Sequence, residues 1–348
     1  MNKEYGIVVV GCGYIGEEHL ADIYYRDNIR IVAVVDWDSN KAQLMAKKYG
    51  ASEYGTDYTH YLNRNDVDIV IIATYVDSHL HIMKDCVNAG KHVLCEKPVA
   101  STRAEGEEFF RIAEKSTVQV LVGHILRHNR SYQKVKELID AGTIGDLRLI
   151  HFVQNHHALD WHRYRRLLED CPPILDCGVH YLDVMQWISG QKITEIQGNS
   201  ISLDPDSPCD NYCTVQLSLS GGCHGFYEAG WSRNLRAYNC KEFIGEKGYI
   251  HLTLRADRQA DKEEGDLIEI FYSESEKHEI INLPAKYKDM NAQLQELINR
   301  IEGHPENSFT LQDAKEAFLV AINAVENVKT PILTTVSKNP IKQKTPPK

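Results

Sequence analysis

A short unbroken apolar run, Ile7-Val8-Val9-Val10, leads without a gap into Gly11-Cys12-Gly13-Tyr14-Ile15-Gly16. Such a run suits a strand buried on both faces of a parallel sheet, and the amphipathic stretch to Tyr25 suits a helix. The glycines therefore fall at a strand-to-helix turn, the context in which G-x-G-x-x-G carries meaning. Gly11 permits the tight turn, Gly13 lets the backbone approach a pyrophosphate, and Gly16 lets helix and strand pack closely. The helix N-terminus, at Tyr14 and Ile15, offers N–H groups and partial positive charge to phosphate. A second strand over 30–35 ends at Asp36, 20 residues after Gly16. An acid there accepts from a ribose diol and repels a 2′-phosphate, so NAD is expected in preference to NADP. The rival reading is a glycine-rich turn in an unrelated α/β domain.

Strands and helices keep alternating. Helices are expected over 39–49 (cap at Ser39 or Asn40), 78–89 (closed by Gly90) and 101–115 (cap at Ser101). Strands are expected over 68–72, 91–95 and 118–122. That alternation implies right-handed crossovers and a doubly wound parallel sheet, whose ligands bind beyond the C-terminal strand ends. Those ends carry Gly11, Asp36, Thr74, Glu96-Lys97-Pro98 and Gly123-His124.

Further along, Asp176, His180 and Asp183 are spaced i, i+4, i+7 and would share one helix face. A carboxylate one turn from an imidazole can fix its tautomer and steady its cation, which suits acid/base work. The competing reading is a polar stripe at a domain seam. Lys97, stiffened by Pro98, could stabilise a developing alkoxide.

These pieces together resemble the glucose–fructose oxidoreductase / inositol dehydrogenase / MocA (Gfo/Idh/MocA) family. The matching residues are Gly11–Gly16 with Glu17-Glu18-His19, Asp36, Thr74 with His79, Glu96-Lys97-Pro98, and Asp176-x-Gly178-x-His180-x-x-Asp183. The resemblance implies an N-terminal Rossmann domain over 1–123. It also implies an α/β domain with a large, mostly antiparallel sheet over 124–336, and leaves a tail over 337–348. A last helix over 311–328 is expected to pack back on the first domain. The implied activity is NAD-dependent oxidation of a secondary hydroxyl of a sugar, sugar phosphate or cyclitol, by hydride transfer to nicotinamide C4. By similarity the cofactor would meet Gly11, Gly13, Tyr14, Ile15, Gly16, Asp36, Thr74, His79, Glu96 and Lys97. Lys97, Asp176 and His180 would be catalytic, with His180 as proton acceptor, and the Lys97–Pro98 bond cis. Two rivals share the fold: a redox-assisted glycosidase that keeps its NAD, and a non-catalytic NAD-binding sensor. The chain departs from the family at Tyr75, at His128 after Arg127, and at Glu169-Asp170-Cys171-Pro172-Pro173, where relatives often carry glycines.

Past a helix over 130–141 closed by Gly142 and a strand over 147–153 comes a basic segment: His156-His157 and Trp161-His162-Arg163-Tyr164-Arg165-Arg166. It reads as a solvated helix face or subunit contact, or as a pocket for an anionic substrate built from Arg127, His157, Trp161 and Arg163. Strand-like runs follow over 193–203, 212–219, 224–231, 240–244, 249–254, 267–272 and 279–283, with Gly221-Gly222 as a hairpin turn. An acidic loop is expected over 261–266. Consecutive strands make a broad sheet with one open face, which a partner subunit would cover, so a homodimer or homotetramer is expected.

Composition narrows the remaining classes. A net charge of −10 argues against a nucleic-acid surface. No apolar run approaches the ~20 residues that span a bilayer, and the N-terminus leaves no room for a signal peptide. The nine cysteines show no pairing logic, which fits reduced thiols in the cytoplasm. Cys209/Cys213 and His156/His157 lack matching partners, so no metal is expected.

Overall fold

The structure is a computed structural model describing residues 3–257, 265–305 and 309–328. The expected tail, and positions 261–264 of the expected acidic loop, lie outside the described residues. Asp266 is no loop residue. It begins a strand, is buried, and accepts from Ser131 Oγ (2.6 Å) and Arg255 N (2.7 Å).

Six parallel strands form the first sheet: β1 (Tyr5–Val10), β2 (Ile29–Val35), β3 (Glu53–Gly55), β4 (Ile69–Ile72), β5 (His92–Cys95) and β6 (Val120–Val122). Their order is β3-β2-β1-β4-β5-β6. The chain reverses its direction of travel between β1 and β4, so a crevice opens at the ends of these two strands, where such sheets take ligands. β4 is Ile-Val-Ile-Ile and wholly buried, as a strand covered by helices on both faces must be. β3 escapes sequence reading because three residues carry no periodic signal; pairing to β2 defines it.

Two caps differ from expectation by one residue. Asp38, not Ser39 or Asn40, caps Ser39–Tyr49 by accepting from Asn40 N and Lys41 N. Thr102, not Ser101, caps Arg103–Lys115. In both, the residue just before the helix is extended and presents its oxygen to the free N–H groups of the first turn.

The second sheet has eight strands: β7 (Leu147–His157), β8 (Ile193–Ile201), β9 (Tyr212–Leu219), β10 (His224–Ser232), β11 (Tyr238–Gly245), β12 (Gly248–Thr253), β13 (Asp266–Tyr272) and β14 (Lys277–Leu283). Their order is β14-β13-β12-β11-β7-β10-β9-β8, and every pair but β7–β10 is antiparallel. β7 runs four residues past its expected end because β10 pairs along it as far as His157. His156 and His157 are therefore strand residues.

One face of this sheet packs on the helix Gly178–Ser189. Tyr181 meets Phe152 edge-on and stacks on Tyr227, each at 5.4 Å between ring centroids. The other face carries half-buried Leu149 and Phe226 and exposed Ile280. The helix Leu311–Asn327 reaches back to the first sheet's helical layer, with Phe318 against Phe110 (6.0 Å) and Lys315 Nζ donating to Glu114 (2.7 Å). Among the described residues no helix is long and apolar enough to cross a membrane.

Candidate active site

The glycine loop has the shape its sequence demands. Gly11 has φ +101°, and a Cβ there would lie 2.5 Å from Ala73 O. A Cβ on Gly16 would lie 1.9 Å from Gly11 O, so helix Tyr14–Ile23 and strand could not approach as they do. Gly13 is the contrast. A Cβ there would meet nothing within 4 Å, so its backbone faces open space at the start of the helix. Tyr14 is exposed and Ile15 half-buried beside it. Asp36, at the end of β2, accepts from Cys12 N (2.7 Å) and Asp38 N (2.9 Å). It thus fastens the loop while its oxygens keep acceptor capacity. An open backbone cradle, a helix N-terminus and a carboxylate at the neighbouring strand end fit a dinucleotide.

Two expected cofactor ligands brace the crevice instead of lining it. His79 is buried, with Nδ1 2.9 Å from Pro98 O and Nε2 3.1 Å from Thr74 O. It ties the loop after β4 to the loop after β5. Ser78 Oγ donates to Thr74 Oγ1 (2.6 Å), which fixes that residue as well. Glu96 is buried between His19 Nε2 (2.8 Å) and Lys97 N (3.3 Å) and so joins the dinucleotide helix to the end of β5. The Lys97–Pro98 bond is cis, as expected.

Lys97 Nζ donates to Asp176 Oδ1 (2.8 Å) and to Asp176 O (2.9 Å). Burial works against the ammonium's charge, but the Asp176 carboxylate outweighs it and carries the Lys97 pKa above the ordinary lysine value. The cation is therefore permanent and its position fixed.

The expected helix through 175–183 forms as two segments, Pro173–Asp176 and Gly178–Ser189, joined at Cys177, which keeps right-handed helical dihedrals (φ −82°, ψ −39°) and donates from its N–H to Pro173 O (2.9 Å). From Pro173 to His180 the side chains are buried except at Asp176 and His180, which are half-open. The expected Asp176–His180 pair gives way to Asp176–Lys97, and His180 Nδ1 has no hydrogen-bond partner among the described residues. Burial first, then the charges of Lys97, His124 and Lys288, hold the His180 pKa well below the ordinary histidine value. A neutral imidazole beside a fixed ammonium can accept a proton while the ammonium stabilises the anion left behind.

Asp183, third in the stripe, is engaged by a different cation. It is buried and grips Arg127 through two bonds of 2.7 Å, with His124 Nδ1 3.5 Å away. Arg127 is thus committed to Asp183 and lies between the rings of Trp187 (4.9 Å) and Phe309 (5.0 Å). Its guanidinium is thus engaged by protein groups where a substrate contact was expected. His124 stacks edge-on against His180 at 5.9 Å.

The basic segment is also divided. Arg165 and Arg166 pair with Glu169, and Arg166 also with Asp170. His157 Nδ1 lies 2.7 Å from Leu235 O, and Trp161 Nε1 donates to Asp206 (2.9 Å). Helix Trp161–Asp170 instead leans on the crevice. Arg163 lies over the Tyr14 ring (5.3 Å) and Arg166 over the Tyr75 ring (4.7 Å). Lys288 shares Tyr14, with Nζ 4.5 Å from the ring centre. Among the described residues the charged groups of Lys288 and Arg163 have no ion pair. Burial pushes the Lys288 pKa down, and it lies close enough to Lys97 and His180 to act on both. Sequence reading missed Lys288, which lies in a stretch without periodic pattern.

The profile described as the oxidoreductase family with NAD-binding Rossmann fold matches residues 5–124, and that of the GFO/IDH/MocA C-terminal domain matches residues 132–251. The chain is 32% identical over 257 residues to inositol 2-dehydrogenase 2 of Saccharopolyspora erythraea, covering 71% of this chain and 72% of that one. It is 36% identical over 139 residues to 4-carboxy-2-hydroxymuconate-6-semialdehyde dehydrogenase of a Sphingobium species, covering 40% of this chain and 44% of that one. Scyllo-inositol dehydrogenase from Lactobacillus casei, solved with NAD(H) and scyllo-inositol, superposes with a TM-score of 0.75 at 22% identity, covering 94% of this chain and 97% of that one.

Proposed function

The chain belongs to the Gfo/Idh/MocA oxidoreductase family, and from that premise we propose that it oxidises a secondary ring hydroxyl of a cyclitol or sugar with NAD. The observation that supports this most is the fixed Lys97 ammonium, 2.8 Å from Asp176, beside a neutral His180. His180 takes the hydroxyl proton, Lys97 stabilises the alkoxide charge that develops, and Asp176 holds Lys97 charged and in place. NAD, held by the glycine loop and Asp36, supplies the two-electron acceptor when bound. The chain's own groups contribute orientation and charge.

A neutral polyol suits the site better than a sugar phosphate, since Arg165 and Arg166 are already paired with carboxylates. The second sheet's open face, with Leu149, Phe226 and Ile280, is proposed as a self-association surface. A monomeric mass in solution would remove that part.

The test is NADH formation against inositols, hexoses and their phosphates, with NAD⁺ and NADP⁺ in parallel. Turnover with a neutral polyol and NAD⁺ is expected. A clear preference for NADP⁺ would overturn the role given to Asp36. Tightly bound NAD without net turnover would favour the redox-assisted glycosidase, and no dinucleotide binding at all would overturn the proposal.

Lys288 and Arg163 flank Tyr14, the first residue of the dinucleotide helix, and their free charges suit the cofactor's diphosphate. Lys288→Met is expected to weaken NADH binding about tenfold in a fluorescence titration, the loss of one charge-assisted contact worth about 1.4 kcal/mol. An unchanged Kd for NADH with a raised substrate KM would place the charge against an anionic substrate group instead.

A further inference from the structure

The open face of the second sheet carries a cluster unconnected with the crevice. β11 presents Cys240 and Glu242 on one side of the strand, two residues apart. Glu242 lies opposite His151 of β7 and His251 of β12. Its two carboxylate oxygens are 3.2 Å from His151 Nδ1 and 3.5 Å from His251 Nδ1. Donor atoms of His151, Cys240 and Glu242 all fall within 4.8 Å of one another. Cys240 is buried, the other three are about one-third exposed, and the Phe226 ring stands edge-on against His151 at 5.3 Å.

We propose that His151, Cys240 and Glu242 form a zinc site, with His251 as the fourth ligand. Zinc–ligand bonds of about 2.0–2.3 Å place tetrahedral ligands about 3.3–3.8 Å apart, the range into which both histidine–carboxylate separations fall or nearly fall. Within the set His151, Cys240 and Glu242 the remaining separations, at most 4.8 Å, need to close by about 1 Å, within reach of side-chain rotation, and His251 would join by turning its ring from the Glu242 carboxylate toward the ion. Three hydrogen-bonded strands hold the set, so little order has to be created on binding. One thiol, two imidazoles and one carboxylate select a borderline ion such as zinc over magnesium or calcium, which take oxygen ligands. The ion would pin β7, β11 and β12 together on the sheet face opposite helix Gly178–Ser189. The sequence shows no metal-ligand spacing here, because Cys240, Glu242 and His251 lie on a hairpin at strand rather than motif intervals and His151 comes from β7, about ninety residues earlier.

The test is a zinc titration of the chelator-treated full chain in its native assembly, against a chromophoric competitor. One equivalent per chain is expected, with affinity reduced about tenfold or more by His151→Ala or Glu242→Gln. Cobalt substitution is expected to give a thiolate-to-metal charge-transfer band that Cys240→Ser removes. A thermal melt of each variant confirms folding, and the conservative His251→Asn supplies a second reading if His151→Ala fails to fold. No saturable uptake, or uptake that these variants leave unchanged, would overturn the site. Either result is independent of the dehydrogenase reading, since the titration needs neither dinucleotide nor polyol.

Discussion

Replacing Lys97 with methionine is expected to cut turnover about 10²–10³-fold, the usual cost of removing one fixed donor aimed at developing negative charge. Methionine keeps most of the side-chain volume and removes the ammonium that donates to Asp176 Oδ1 and Asp176 O. The loss should fall on kcat, because the charge on the substrate oxygen develops only in the transition state. NADH binding, read by fluorescence, should be retained, since the glycine loop and Asp36 remain. Lys97→Arg should not rescue, because a planar fork cannot take the place of a compact ammonium held at two oxygens of one residue. Near-normal turnover in Lys97→Met would remove this lysine from the mechanism. Loss of NADH binding together with turnover would mean that the pair holds the crevice together and that its charge is not catalytic.

Replacing His180 with glutamine should lower turnover about 10²–10⁴-fold and change the pH profile as well. In the native protein the imidazole is unprotonated down to well below the ordinary histidine range, because burial and three nearby cationic or ionisable groups oppose its proton. The base is therefore available at neutral pH. The acid limb of kcat/KM should fall as pH drops through a value below 6.5, the ordinary histidine value. In His180→Gln that limb should disappear while the residual rate persists. An acid limb of unchanged position in the variant would assign it to another group, with His124 the first to examine, because its ring lies against His180.

The parts of this molecule that were legible in the sequence are those whose physics is local. Gly11 and Gly16 are required by backbone contacts of 2.5 and 1.9 Å that a side chain would violate, and such demands leave a motif. β4 and the stretches 7–10 of β1 and 31–35 of β2 are continuous apolar runs because both their faces are covered. Caps were misplaced by one residue because Asp38 and Ser39, or Ser101 and Thr102, are chemically equivalent candidates; only backbone direction separates them.

Partnership was not legible in the same way. Spacing placed Asp176, His180 and Asp183 on one face, and that face meets a different neighbour at each turn. Asp176 found Lys97, Asp183 found Arg127, and His180 was left without a carboxylate. The basic segment read either as a solvated face or subunit contact or as an anion pocket, and the structure divides it: Arg165 and Arg166 are neutralised within their own helix while Arg163 reaches Tyr14. Lys288 joined the crevice from a segment with no pattern of its own.

The sequence by itself determined the doubly wound first sheet and the glycine loop, and it singled out Lys97, Asp176 and His180 as candidates. Periodicity, glycine sterics and residue chemistry act over a few positions and need no knowledge of distant chain. Only the tertiary structure decided which charge meets which. An ion pair depends on which side chains are brought within about 4 Å and which are desolvated, and that is set by the docking of whole helices and strands.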